Sequence, residues 1–301
     1  MQLTGLHILL TYQCTFECDH CFVWGSPWQT GVFTLEKVRD VLDQALQLGT
    51  VKSIYFEGGE PFLYHPILVE GVRAAAERGF EVGLVTNAYW ATSVEDALAW
   101  LTPLAEWVGD LTVSSDLFHY SERISQQAEN AALAAKNLGL DMGIITIERQ
   151  DQEDCEIPVG QLPEGDSGIM YRGRAAVKLA PQVPGKAWEE YTECPYEDLV
   201  EPGRLHLDPL GNLHLCQGIV LGNIFEQPLA AVIEGYRPEE HPIAGPLLAG
   251  GPAGLVSRYG LKVDEAYADA CHLCYEARRQ LRTKFPRILQ PDQVYGVFET
   301  P

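Results

Sequence analysis

The sequence predicts an α/β fold: a partial (β/α)6 TIM-like barrel followed by a smaller region built from a β-hairpin and a helix. Three observations predict it. Short apolar runs alternate with helix-period stretches at roughly 30-residue spacing over the first 180 residues, as parallel βα units do. The runs are near-continuously apolar, as in strands covered on both faces. Residues able to do chemistry collect just after the runs, where α/β barrels carry their sites.

In chain order, residues 6–11 form an apolar run leading straight into a cysteine-bearing loop. Thr34 caps a helix with Val38, Val41, Leu42, Ala45 and Leu46 at helical spacing, and Gly49 ends it. Residues 53–57 read as the second strand, followed by Gly58-Gly59-Glu60-Pro61. A helix over 67–79, a strand over 80–86, a helix over 94–107 and a strand over 110–114 follow. An Ala-rich helix over 122–138, a strand over 140–147 and a sixth strand over 167–171 complete the barrel. Six units are too few for a closed eight-stranded barrel, so an open one is expected. Pro158, Pro163, Pro181 and Pro184, with glycines between them, mark a crossing into a second domain. The expected division is a barrel over 1–180, a second domain over 186–285 and a tail over 286–301. Within the second domain, residues 205–215 read as a hairpin around a Pro209 to Asn212 turn, closed by Cys216. A helix over 266–282 carries Cys271 and Cys274 near its start.

The 301 residues are 46% hydrophobic, enough for a real core and too apolar for disorder. With 21 Lys+Arg against 42 Asp+Glu the net charge is −21, which argues against nucleic acid as a partner. There is no apolar run of membrane-spanning length and no signal-peptide pattern at the N-terminus, so a cytoplasmic protein is expected. In a reducing compartment the eight cysteines read as metal ligands or reactive thiols.

The cysteines are clustered. Cys14-x3-Cys18-x2-Cys21 follows the first strand; Cys155, Cys194 and Cys216 come next; Cys271-x2-Cys274 closes the series. Thiolates two or three residues apart converge on one metal or one iron–sulfur cluster. On spacing alone, zinc completed by His20 or a distant ligand also suits the first set.

The triplet, with His20 before its last cysteine and Gly58-Gly59-Glu60-Pro61 after the second strand, resembles the radical S-adenosylmethionine (SAM) superfamily. The second half is similar to the twitch domain, a shortened SPASM extension: Cys194, sixteen residues, Gly211, four residues, Cys216, then Cys271-x2-Cys274. The resemblance implies a 4Fe–4S cluster on Cys14, Cys18 and Cys21, with one iron left open for SAM. It further implies an auxiliary 4Fe–4S cluster on Cys194, Cys216, Cys271 and Cys274. Zinc remains the alternative for that quartet. For SAM it implies Gly58, Gly59, Glu60 and Pro61, with Glu60 receiving the methionyl ammonium, and Thr86, Asn87, Ser114 and Asp116 near the ribose and carboxylate. His20 and Phe22 would pack near the cluster or the adenine.

Reductive cleavage of SAM would give a 5′-deoxyadenosyl radical that abstracts a substrate hydrogen. The expected reaction is oxidation of a small polar, sugar- or cyclitol-like substrate, with the auxiliary cluster taking the second electron and flavodoxin or ferredoxin supplying the first. The alternative is peptide modification by thioether formation, carbon–carbon bond formation or epimerisation; against it, the first strand starts near Leu6, without room for a leader-binding domain before it. A non-enzymatic iron–sulfur or zinc protein is the third reading, in which Gly58-Gly59-Glu60-Pro61 has no role. Cys155 is a candidate hydrogen-atom donor, and Asp116, Glu148 or His119 a candidate base. Tyr12, Trp24, Trp28, His119, Tyr120 and Asp208 are candidate substrate contacts.

Overall fold

In the computed structural model, which describes residues 1–147 and 165–298, the alternating pattern becomes one nine-stranded sheet. β1 (Gly5–Thr11), β2 (Ser53–Gly58), β3 (Glu81–Thr86), β4 (Asp110–Ser114), β5 (Met142–Ile147) and β6 (Gly165–Ser167) stand side by side, each parallel to the one before. Helices α1 (Leu35–Leu48), α2 (His65–Glu77), α3 (Val94–Leu101) and α4 (Gln126–Leu138) return the chain between the first five strands. The short α5 (Arg174–Lys178) and β7 (Lys186–Ala187) lead to β8 (Arg204–Leu207), β9 (Asn212–Cys216) and β10 (Ile219–Asn223). Then come α6 (Leu229–Gly235), α7 (Ala244–Tyr259), β11 (Ala266–Tyr267), which pairs with β7, and α8 (Ala270–Leu281). The expected hairpin is therefore present as β8–β9. It also joins the barrel sheet, because β8 pairs parallel to β1 on the side away from β2.

The helix boundaries follow their caps. Thr34, Ser93 and Ser125 each accept a bond from the backbone N–H three residues on, and Gly49 and Gly139 close α1 and α4 in the left-handed conformation. α4 thus starts after Ser125, short of the expected 122. The helix expected over 94–107 ends at Leu101, and turns carry the chain on to β4. The helix expected from 266 starts at Ala270, because Ala266–Tyr267 pairs as β11 and Asp269 caps α8. The sixth strand occupies Gly165–Ser167 where 167–171 was expected. α5, α6, α7 and β10 had no counterpart in the sequence reading. In α7 the Gly250-Gly251-Pro252 break hides the helical period.

The strands are less uniformly apolar than expected, for a geometric reason. Leu6, Ile8 and Leu10 of β1 and Ile54 and Phe56 of β2 are fully buried in the core. The alternate residues, His7 and Leu9 on β1, Ser53, Tyr55 and Glu57 on β2, and Asp110, Thr112 and Ser114 on β4, line a cavity inside the barrel. The Tyr55 ring crosses β3 at Gly83, where an added Cβ would sit 2.2 Å from the ring. Gly83→Ala is accordingly expected to lower stability by about 1–3 kcal/mol, read as a shifted urea midpoint. The loss should shrink in the Gly83→Ala/Tyr55→Ala double variant, where the ring is gone.

Candidate active site at the carboxyl ends of the strands

Cys14, Cys18 and Cys21 occupy the loop that leaves β1 and line one end of a cavity of about 610 Å3. The loop is folded by bonds that also serve the sulfurs. Phe16 N–H and Asn87 Nδ2 approach Cys14 Sγ at 3.5 and 3.6 Å, and Gly25 N–H reaches Cys21 Sγ at 3.2 Å. Burial, with Glu60 nearby, pushes the Cys14 thiol up to about 12. Burial and the facing cysteines raise Cys18 still further. Free thiols here hold their protons, so a metal that binds them must release those protons. A Cβ on Gly25 would lie 3.5 Å from the Cys14 Cβ and 3.6 Å from Cys21 Sγ, so its absence keeps the space between the two cysteines open.

Arg174 holds the loop from below. At the start of α5, and 2% exposed, it donates from Nη1 to Cys18 O at 2.6 Å and from Nη2 to Gly25 O at 2.8 Å. Its own N–H donates to Cys21 O at 2.9 Å. The sequence resemblance extends to Arg172-Gly173-Arg174-Ala175 as a link between barrel and extension, but a partner 156 positions away leaves no local signal of this contact with the cysteine loop.

Gly58 and Gly59 lie against this loop and line the cavity. Glu60 and Pro61, expected with them, do not line it. Glu60 is fully buried and Pro61 buried. Glu60 Oε1 accepts from Phe62 N–H at 3.0 Å and from the Thr86 hydroxyl at 2.8 Å, and Oε2 accepts from Asn87 N–H at 2.8 Å. The carboxyl therefore braces the end of β3 and is not presented to a ligand. Burial raises it to about 7 against the pull of those donors.

Thr86 and Asn87 reach the cavity wall, though the Thr86 hydroxyl is engaged by Glu60, Ala88 N–H and Trp90 Nε1. Ser114 lines the cavity as expected. Asp116 lines it too, but its Oδ1 accepts from Phe118 N–H and from the His119 N–H and Nδ1, and its Oδ2 from Ile147 N–H. Burial would raise Asp116, but His119, His20 and the backbone donors hold it below the usual carboxylate range. It shapes the turn after β4, with three bonds on Oδ1 and a single longer one on Oδ2. His20 is held near 4 by burial, and its Nδ1 finds no partner among the described residues.

Of the expected substrate contacts, His119 lines the cavity. Tyr12 and Asp208 are buried and bond to each other, with Asn212 and His214 joining at the hairpin. Trp24 donates to the Tyr275 hydroxyl, Tyr120 to Asn87 O, and Trp28 is 81% exposed. Cys155 and Glu148 lie outside the described residues.

Cys194, Cys216, Cys271 and Cys274 line a second, smaller cavity together with Arg172 and Arg278. Asp269 caps α8 through His272 N–H at 2.7 Å and also takes Tyr171 N–H at 3.1 Å, tying the helix that carries two of these cysteines to the barrel. The kink of α7 packs on the segment before Cys194, where a Cβ on Gly251 would fall 2.2 Å from Glu193 N. Arg172 donates from Nη1 to Cys216 Sγ at 3.1 Å and to Glu197 at 3.3 Å. All seven described cysteines are free thiols.

Residues 8–149 match the family model of the radical SAM superfamily, whose enzymes bind a 4Fe–4S cluster and SAM. A tungsten-containing aldehyde ferredoxin oxidoreductase cofactor-modifying protein from Pyrococcus furiosus is 30% identical over 145 residues, covering 48% of this chain and 36% of the relative. The chain thus spans little more than a third of that relative's length. SuiB of Streptococcus suis, solved bound to precursor peptide SuiA, has the same fold at a TM-score of 0.54 and 15% identity, covering 90% of this chain and 76% of SuiB. Native anSMEcpe with bound AdoMet aligns at 0.53 and 14%, covering 95% of this chain and 97% of that one.

Two outcomes follow from this geometry. Arg174→Met removes a charged donor from two buried carbonyls, each worth about 1.5–3 kcal/mol; iron should be lost faster to a chelator, with the cysteines intact. Glu60 in the fold keeps a proton between about pH 5 and 7 that the unfolded chain has lost. Stability should therefore fall on the order of 2–3 kcal/mol as pH rises through that window. Glu60→Gln should flatten the slope in urea unfolding series, whatever it does to the midpoint at any one pH.

Proposed function

We propose that this chain is a radical SAM enzyme that oxidises a small polar, sugar- or cyclitol-like substrate held inside the barrel. The observation that carries the reading is the placement of Cys14, Cys18 and Cys21, with no fourth cysteine beside them among the described residues, on the wall of a cavity next to Gly58 and Gly59. The volume, about 610 Å3, suits a nucleoside-sized cofactor with a small substrate. When bound, the cluster and SAM supply a 5′-deoxyadenosyl radical that removes a substrate hydrogen atom, and a one-electron acceptor completes the oxidation.

The chain's own residues do the positioning. Phe16 and Gly25 N–H groups and Asn87 Nδ2 donate toward the sulfurs, the kind of bond that tunes an iron–sulfur cluster. Gly58 and Gly59 let backbone form the wall next to the cysteines. Tyr55, Thr112, Ser114 and Arg204 present polar groups to the interior, which favours a hydroxylated substrate.

Residues 1–180 would form the radical domain and 186–285 an auxiliary domain, with Cys194, Cys216, Cys271 and Cys274 holding a second cubane that accepts the electron. Its support is the donor set and its spacing. Neither cysteine set is among the described groups whose ligand atoms all lie within 4.8 Å. A single zinc ion, with Zn–S near 2.3 Å, draws its sulfurs to about 3.8 Å of one another. Arg172 and Arg278 flank the quartet with positive charge. Flavodoxin or ferredoxin would supply the first electron. A second reading, peptide modification, is favoured by the likeness to SuiB, which was solved with a precursor peptide.

Reduced, reconstituted protein should convert SAM to 5′-deoxyadenosine, and Cys18→Ala should abolish it; no product from wild type would overturn the reading. Iron should be about eight per chain, falling to about four in Cys271→Ala/Cys274→Ala. About four irons with one zinc in the wild type would remove the second cubane.

A further inference from the structure

A second set of ligand-type side chains lies deeper in the same cavity and uses none of the cysteines. β8, β1 and β2 are neighbours, and in their register His7 stands opposite both His206 and Tyr55. Glu57, two residues beyond Tyr55 on β2, shares the same inward face. Glu57 Oε2 lies 3.2 Å from His7 Nδ1, and Oε1 lies 3.1 Å from His206 Nε2. The ligand atoms of all three are within 4.8 Å of one another. Their side chains are only 11–15% exposed, and they line the cavity.

We propose that His7, Glu57 and His206 bind one divalent first-row metal ion, with its remaining coordination positions open to the barrel interior. The donor set is two imidazoles and one carboxylate, which suits zinc, ferrous iron or manganese and leaves sites for water or a substrate oxygen or nitrogen. Ligand bonds of 2.0–2.2 Å to one ion place neighbouring donors about 3 Å apart, close to the 3.1 and 3.2 Å observed.

The surroundings hold the donors in place as outer ligand shells do. The Tyr55 ring stacks on His7 with centroids 4.6 Å apart and planes 11° apart, and its hydroxyl donates to Asp110 at 2.8 Å. Gly83 leaves the space that this ring fills. Three adjacent strands supply one ligand each, so the site is built on the sheet and not on a loop. The competing occupant of this space is nothing but hydrogen bonds: a carboxylate shared by two imidazoles, contacting substrate directly.

Zinc separates the two, because it is redox-inert and can be counted beside iron. Iron-replete protein is dialysed against zinc chloride, and both metals are measured by mass spectrometry. The expected result is about one zinc per chain with iron unchanged. Zinc affinity should fall at least about tenfold in His206→Ala and in Glu57→Gln. Should His206→Ala fail to retain iron, Glu57→Gln alone decides, since it keeps the side chain's shape and removes the anionic ligand. Tyr55→Phe should keep the zinc. No zinc on iron-replete wild type, zinc held equally by wild type and Glu57→Gln, or zinc gained only as iron is lost would each overturn the site. None of these readouts uses SAM cleavage, so they stand apart from the radical reading and fail separately from it.

Discussion

The contact on which the rest of this site depends is backbone against backbone, where the turn after β2 meets the loop after β1. Gly59 N–H donates to Thr11 O at 2.7 Å, and Glu60 N–H donates to Gln13 O at 2.8 Å. A Cβ on Gly58 would sit 2.4 Å from Thr11 O, and one on Gly59 would sit 2.1 Å from Gln13 O. Gly58 also holds φ at +145°, which side-chain-bearing residues rarely adopt. Both glycines are thus required by contact, before any ligand is considered. The same turn drives Glu60 inward, where its carboxyl takes the Thr86 hydroxyl and Asn87 N–H. Asn87 in turn reaches Cys14. The ends of three consecutive strands are locked together, and the first cysteine is placed by that lock.

What the sequence made legible was what is local. Cysteine spacing, the Gly-Gly turn and the strand–helix alternation are all patterns within a few dozen residues, and the first five strands stand close to their expected positions. What stayed hidden depends on partners far apart in the chain. Nothing near Glu60 says that its side chain turns away from the cavity, since that is decided by strand β3. His7 is one polar residue in an apolar run and reads as noise until β8 brings His206 opposite it. Arg174 looks like an ordinary exposed helix residue, yet its guanidinium fills the space beneath the cysteine loop.

The inward face of the barrel depends on distant partners in the same way. A barrel packed by layers of branched side chains would show alternate apolar residues on the inward face. Here those positions hold His7, Tyr55, Glu57, Asp110, Thr112 and His206. Polar groups removed from bulk water require partners, and most of these find them in one another: Tyr55 with Asp110, and Glu57 with both histidines. The interior is therefore kept open by mutual satisfaction of polar groups, so that a ligand entering it must match a fixed set of charges.

Arg172 carries this argument from one cavity to the other. Its guanidinium lies 5.2 Å from the Phe22 ring, beside Cys21, and its Nη1 reaches Cys216 Sγ, while its Nε has no partner among the described residues. It lines both cavities. Burial acts to lower it, but Cys216, Glu197 and Cys271 prevail and hold it more firmly charged than a free arginine. Set beside the second group of thiols, that cation favours the ionised form of Cys271 and Cys274. Charge acquired by the Cys216, Cys271 and Cys274 sulfurs is therefore felt first at that guanidinium. The first cysteine group has its own buried cation in Arg174, which favours the ionised form of Cys18, so each group is paired with a separate arginine that neither spacing pattern contains.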